Sequence, residues 1–166
     1  SVALLAEQLF PGQGQALSVL WRDKQIEYTR LVTTCNNGAH YRPFWELTQA
    51  ALVFALKKLV PGAESTKSDA GFGHQVEQLM NQYRHLRAFP ENREVLVELQ
   101  RRGMPAAILS NGDPEMLGVA VRSAGLADLL QHVISVHPTR RYKTDPAAYA
   151  LGTPKWKLIL TFTLKW

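Results

Sequence analysis

At 166 residues the chain is long enough for one domain, or for a small core carrying a second, inserted layer. Hydrophobic residues make up 46% and charged residues 20%, the balance of a globular protein rather than a disordered or fibrous one. The 19 basic and 14 acidic residues leave a net charge of +5, scattered in pairs such as Lys57-Lys58, Arg101-Arg102 and Arg140-Arg141. With no aromatic–basic interleaving and no helix-turn-helix, no nucleic-acid partner is expected, whereas a mild positive bias suits the collection of small anions. No apolar run approaches the ~18 residues that span a bilayer, so no membrane partner is expected. No basic–apolar–cleavage pattern marks a signal peptide. Cys35 is the lone cysteine, and a free thiol points to a reducing cytoplasm; a partly buried, small apolar role is expected for it.

Taken in chain order, the first half is expected to be helical. After the Pro11–Gly14 turn, Leu17, Leu20, Trp21, Lys24, Tyr28 and Leu31 recur at helical spacing. A second helix runs from Pro43 through Phe44, Leu47, Ala51, Phe54 and Leu59 and ends before Pro61-Gly62. A third covers Gly73 to Leu86, with Val76, Leu79, Met80 and Tyr83 on one face. The second half alternates. A helix from Glu91 to Arg102 stops at Gly103, and a strand follows over Met104–Leu109. A helix over Pro114–Ala124 then stops at Gly125 and leads to a strand over His132–Val136. This βαβ order predicts an α/β fold with a parallel sheet and a right-handed crossover. In the tail, Trp156, Leu158, Leu160, Phe162, Leu164 and Trp166 alternate with mostly polar residues, which predicts an edge strand unless the alternation is accidental.

Two stretches carry chemistry. Ala106-Ala107-Ile108-Leu109 is a short apolar run ending in Ser110-Asn111-Gly112, with Asp113 at a helix N-cap position and Pro114 at the first helical position. Ser110 and Asn111 therefore sit at the carboxyl end of a strand, where open α/β sheets bind ligands and where the following helix start favours an anion. An ordinary, well-capped loop accounts for the same residues. Past the next strand, Tyr142-Lys143-Thr144-Asp145-Pro146 sets a lysine before another capped helix start. From there the lysine can be aimed at the cleft beside Ser110, its compact cation suited to a carboxylate nucleophile or an anionic substrate. A solvated surface lysine is the alternative.

Together, Leu109-Ser110-Asn111-Gly112 and Tyr142-Lys143-x-Asp145-Pro146 resemble the second and third motifs of the haloacid dehalogenase (HAD) superfamily. The segment Leu20-Trp21-Arg22-x-Lys24-Gln25-x-Glu27-Tyr28, preceded by Phe10-Pro11-Gly12-Gln13-Gly14, is similar to the cap helix of the L-2-haloacid dehalogenases. Tyr41-x-x-Phe44, Ala124-Gly125-Leu126 and Tyr149 fit the same subfamily. The resemblance runs from Ser1 to Gly152 and implies a Rossmann-like HAD core with a parallel sheet plus a helical cap subdomain. The implied division is a cap over residues 1–87, a partial core over 88–152 and a divergent tail over 153–166.

That resemblance also implies hydrolytic dehalogenation of L-2-haloalkanoic acids to D-2-hydroxy acids through an aspartyl ester. Small 2-haloalkanoates are the expected partners, a homodimer is compatible with it, and neither a cofactor nor a metal is expected. Arg22 is expected to take the halide and Lys143 to balance the nucleophile's charge. Ser110 and Asn111 are expected to hold the substrate carboxylate, Tyr149 to hold substrate or orient Lys143, and Phe44 and Ile26 to wall an apolar pocket. A solvated arginine and ordinary core residues are the plain alternatives at Arg22, Phe44, Ile26 and Tyr149. The family's nucleophile, an aspartate at the end of an N-terminal strand with Gly-Thr behind it, matches none of Asp23, Asp69, Asp113, Asp128 or Asp145. The family's fourth motif is also missing. Ser1–Glu7 already look like the helix that follows the nucleophile's strand, so an internal piece of a dehalogenase, inactive by itself, is expected. A HAD phosphatase and a non-catalytic anion-binding remnant are the competing readings. The first needs a magnesium site from two motifs that this sequence lacks.

Overall fold

The computed structural model describes residues 1–61, 72–85 and 87–152. Its helices in chain order are α1 (Val2–Leu9), α2 (Gly14–Thr34), α3 (Phe44–Leu59), α4 (Gly73–Arg84) and α5 (Pro90–Arg101). Strand β1 (Ala107–Ser110), α6 (Pro114–Ser123), β2 (His132–Ser135) and the short α7 (Pro146–Ala150) complete the order. Two 3₁₀ turns, Cys35–Gly38 and His137–Thr139, connect α2 to α3 and β2 to α7. The expected tail strand lies outside the described residues.

The α1–α2 corner is set by Glu7 and two glycines. The Glu7 carboxylate accepts the Gly12 and Gly14 N–H groups at 2.6 and 2.8 Å, which holds its carboxyl below the usual range. Gly12 takes φ 79°, where a side chain is strained, and a Cβ at Gly14 would lie 2.5 Å from the Glu7 nitrogen. From this corner α2 runs for 21 residues and buries Leu17, Ser18, Trp21, Gln25, Thr29 and Thr33, the 3–4 residue spacing of one helix face. That face meets α3, whose Leu47, Thr48, Ala51, Leu52, Ala55 and Leu56 are buried. The Trp21 indole donates to the Thr48 carbonyl at 2.8 Å, and Gln25 Nε2 donates to Thr48 Oγ1 at 2.7 Å and to Tyr83 Oη at 3.2 Å. Half of the Trp-Arg-x-Lys-Gln motif is thus a polar seam inside the helical layer.

β1 and β2 pair in parallel, with Ala107 opposite His132 and Ser110 opposite Ser135. Both strands are shorter than the sequence suggests. Met104 belongs to the end of α5, where Gly103 takes φ 67° and the Met104 N–H donates to the Leu99 carbonyl at 2.9 Å. Pro105 then has no N–H for a ladder. Val136 still donates to the Ser110 carbonyl at 2.9 Å, but its backbone has turned helical and opens the second 3₁₀ turn. Cys35 differs from the expected part-burial as well. It is exposed, because the Asn36-Asn37-Gly38 turn, all at positive φ, lifts it off the end of α2.

The main core joins the helical layer to the strand ends. Trp21, Leu17, Leu52 and Leu79 pack in one cluster with Leu109, Val136, Tyr142 and Ala148. Ile108, Leu117 and Val121 form a smaller cluster under α6, and Leu96, Ala106 and Leu126 another under α5. No helix among the described residues is long and apolar enough to cross a membrane.

Candidate active site at the strand ends

β1 delivers Ser110, Asn111 and Gly112 to the carboxyl edge of the sheet, and a web of short bonds fixes the turn. The Gly112 N–H donates to Ser110 Oγ at 3.0 Å, and the Ser135 hydroxyl donates to the Gly112 carbonyl at 2.6 Å. Ser135 Oγ in turn accepts the His137 N–H at 3.2 Å. The ends of the two strands are thereby tied to each other through their paired serines.

Lys143 enters this turn from the segment after β2. Its backbone N–H donates to Asn111 Oδ1 and its ammonium donates to the Leu109 carbonyl, both at 2.9 Å. Burial pushes its pKa down. One of the three ammonium donors is committed to the strand; the others can take an anion. Behind it Arg141 binds Asp145 at 3.0 Å, and Asp145 caps α7 through the Ala147 N–H at 2.8 Å. Ser110, Asn111 and Lys143 therefore converge.

Of the other expected site residues, Phe44 borders this convergence, Tyr149 lies on the helix after Lys143, and Arg22 and Ile26 lie on α2. Phe44 opens α3, is buried, and packs on the ring of Tyr142 with centroids 6.0 Å apart, adjacent to Lys143 in sequence. Tyr149 lies on α7 and is 44% exposed. Arg22 and Ile26 are one turn apart on the exposed side of α2. Arg22 acts electrostatically on Tyr83 of α4, and Ile26 borders a shallow depression of about 530 Å³ formed by α2 residues. A cleft of about 500 Å³ lies apart from Lys143, between α3 and α4, where the Arg84 guanidinium stacks over Trp45 at 4.1 Å.

Beside the convergence is a cluster that sequence reasoning missed. Asp113 Oδ1 and Oδ2 accept the N–H groups of Phe44 and Trp45 at 3.1 and 2.8 Å, and His137 Nδ1 lies 3.2 Å from Oδ1. The Tyr41 hydroxyl meets the same His137 nitrogen at 2.9 Å, and its ring stacks on Tyr142 at 5.4 Å. Tyr142 donates its hydroxyl to the Arg42 carbonyl, and desolvation pushes its pKa strongly up. The spacing Tyr41-x-x-Phe44 was the available signal, but nothing local says that its partners come from 69 to 100 residues away. Among the described residues no three His, Cys, Asp or Glu side chains form a group that could hold a metal ion.

A family model for haloacid dehalogenase-like hydrolases matches residues 5–153. The chain is 40% identical over 152 residues to haloacetate dehalogenase H-2 of Moraxella sp. (strain B), covering 92% of this chain and 63% of that protein. It is 37% identical over 152 residues to the (S)-2-haloacid dehalogenase of Pseudomonas sp. (strain YL), covering 92% and 61%. The crystal structure of an L-2-haloacid dehalogenase superposes with a TM-score of 0.81 at 51% identity, covering 91% of this chain and 63% of that one. The chain thus spans less than two thirds of the length of these relatives. The mostly helical chain with its small parallel sheet accords with this match. The chain belongs to the haloacid dehalogenase-like hydrolases.

Proposed function

We propose that this chain carries the substrate-holding and charge-balancing part of an L-2-haloacid dehalogenase. The observation that carries the reading is the seating of Lys143 on Leu109 and Asn111, one residue to either side of Ser110. In the reaction a carboxylate attacks Cα of an L-2-haloalkanoate, the carbon–halogen bond breaks, and the halide leaves with the bonding pair. Water then attacks the ester carbonyl, releasing a D-2-hydroxy acid and restoring the carboxylate. Ser110 and the N–H groups around Asn111 hold the substrate carboxylate, and Lys143 keeps the attacking carboxylate ionised. Arg22 takes the halide from the α2 side, with residues 1–87 as the cap and 88–152 as part of the core. Tyr149, Phe44 and Ile26 line the approach. A cytoplasmic location and a homodimer are further parts of this reading.

Asp113 is the carboxylate nearest this turn in sequence, and it is a poor nucleophile. Its oxygens already accept two helix N–H groups and face His137, so attack would require giving up those bonds. The nucleophile is assigned instead to a strand bearing the Asp-x-Tyr-Gly-Thr pattern that this sequence lacks. The test is a chimera in which residues 1–152 replace the matching segment of the Pseudomonas (strain YL) enzyme. Chloride release from L-2-chloropropionate, with D-lactate as product, is expected from the chimera. A folded chimera without chloride release overturns the proposal and favours the anion-binding remnant.

A further inference from the structure

We infer that Asp113 is a positioning residue, locking the α2–α3 helix pair onto the turn that carries Ser110 and Asn111. The inference rests on the dehalogenase reading above. Asp113 occupies the N-cap position of α6, yet its side chain makes no bond to its own helix. An aspartate there ordinarily accepts an N–H two or three residues ahead. Here the carboxylate crosses to α3, which starts behind Pro43 and has no side-chain cap of its own. It accepts the first two N–H groups of that helix and satisfies donors that would otherwise be orphaned in a part-buried site.

Two helix N-termini therefore meet on one carboxylate, and their partial positive charges both favour it. His137, two residues past β2, closes the cluster from the third side. Its Nδ1 faces both the Asp113 carboxylate, at 3.2 Å, and the Tyr41 hydroxyl, at 2.9 Å, so the segment after β2 is tied to the same cluster. The Asp113 side chain is 15% exposed and has three partners, so it has little freedom. Because α3 packs along α2, which carries Arg22, the placement of Asp113 one residue after Gly112 sets how the helical layer sits over Lys143. Orientation of this kind acts on the rate of the chemical step more than on folding.

The test uses an intact protein that carries this chain, together with the chain itself. Asp113→Ala is expected to lower kcat/KM for L-2-chloropropionate roughly 10- to 100-fold, mostly through kcat, well below its melting temperature. Asp113→Asn keeps one acceptor oxygen for α3 and is expected to lose clearly less. In amide exchange on this chain, Asp113→Ala is expected to strip protection from Phe44, Trp45 and the Asn111–Gly112 turn together. A lowered Tm with unchanged kcat/KM overturns the inference, since a purely structural cap would behave that way. If the unmutated protein releases no chloride, the dehalogenase reading falls instead. Exchange then decides the lock: joint loss upholds it, and loss confined to α3 or to neither segment overturns it.

Discussion

Lys143 is held at both ends, by its backbone N–H on Asn111 and by its ammonium on the Leu109 carbonyl, so removing the side chain deletes a charge without unseating the turn. In the chimera, Lys143→Ala is expected to lower chloride release roughly 10²- to 10³-fold with circular dichroism unchanged, the loss typical of one fixed charge-stabilising donor. Tyr83 makes a different prediction. It is buried against Gln25, and desolvation raises its pKa to about 12, above the ordinary value of 10.0. The folded chain then keeps a phenol proton that the unfolded chain gives up. The stabilisation is complete below pH 10 and is lost as pH rises from 10 toward 12, by up to roughly 1.4 kcal/mol per pH unit. Urea midpoints measured across that range should fall steeply, and Tyr83→Phe should flatten the fall. At this scale the convergence of Ser110, Asn111 and Lys143 was legible, the first two because they end an apolar run and Lys143 because it precedes a capped helix start just past the next strand. Asp113 was legible only as an N-cap. That its carboxylate serves α3 depends on a close approach across 69 residues, which no local pattern encodes.

Helices α2, α3 and α4 follow directly from apolar spacing, and each begins within a residue or two of its turn signal. Strand bounds were less legible. Met104 is apolar and precedes an apolar run, yet the left-handed Gly103 recruits its N–H into the α5 cap, so the ladder begins at Ala107. The Trp-Arg-x-Lys-Gln pattern also divides in a way that residue types do not announce. Trp21 and Gln25 point inward to Thr48, while Arg22 and Ile26 stay outside. Two substitutions test this layer. Trp21→Phe leaves the buried Thr48 carbonyl without its indole donor and opens a void. It is expected to cost about 1–3 kcal/mol by urea denaturation. Gly14→Ala drives a methyl into the Glu7 backbone at 2.5–2.6 Å, where no flexible side chain can yield. A loss of about 1–3 kcal/mol is expected, against the small gain that alanine brings to an open helix start.

Across the whole molecule, the parallel strand pair and the helical layer are joined by contacts between chain segments that are remote in sequence. Parallel pairing follows from the βαβ order, and it was legible. What covers the strand ends was not, because that depends on how α3 and the turn before it settle over the sheet. One expected outcome follows for the chain by itself: chloride release from L-2-chloropropionate at the buffer rate, since no aspartate in it combines a strand end with a Gly-Thr turn. The joining contacts also bear on how the chain reaches this structure. Thr33 to Tyr142, Arg42 to Tyr142, Asn37 to Arg141 and Phe44 to Asp113 close loops of 109, 100, 104 and 69 residues. The α2–α3 hairpin closes a far shorter one and forms first on loop-entropy grounds, since long closures must be made before they are rewarded. The clasp of Tyr41, Tyr142, His137 and Asp113 is therefore expected to form late in folding. Substitutions there, Tyr142→Phe among them, should leave the refolding arm of a chevron plot almost unmoved and raise the unfolding arm. Their effect is to shorten the lifetime of the assembled strand-end turn rather than to delay its formation.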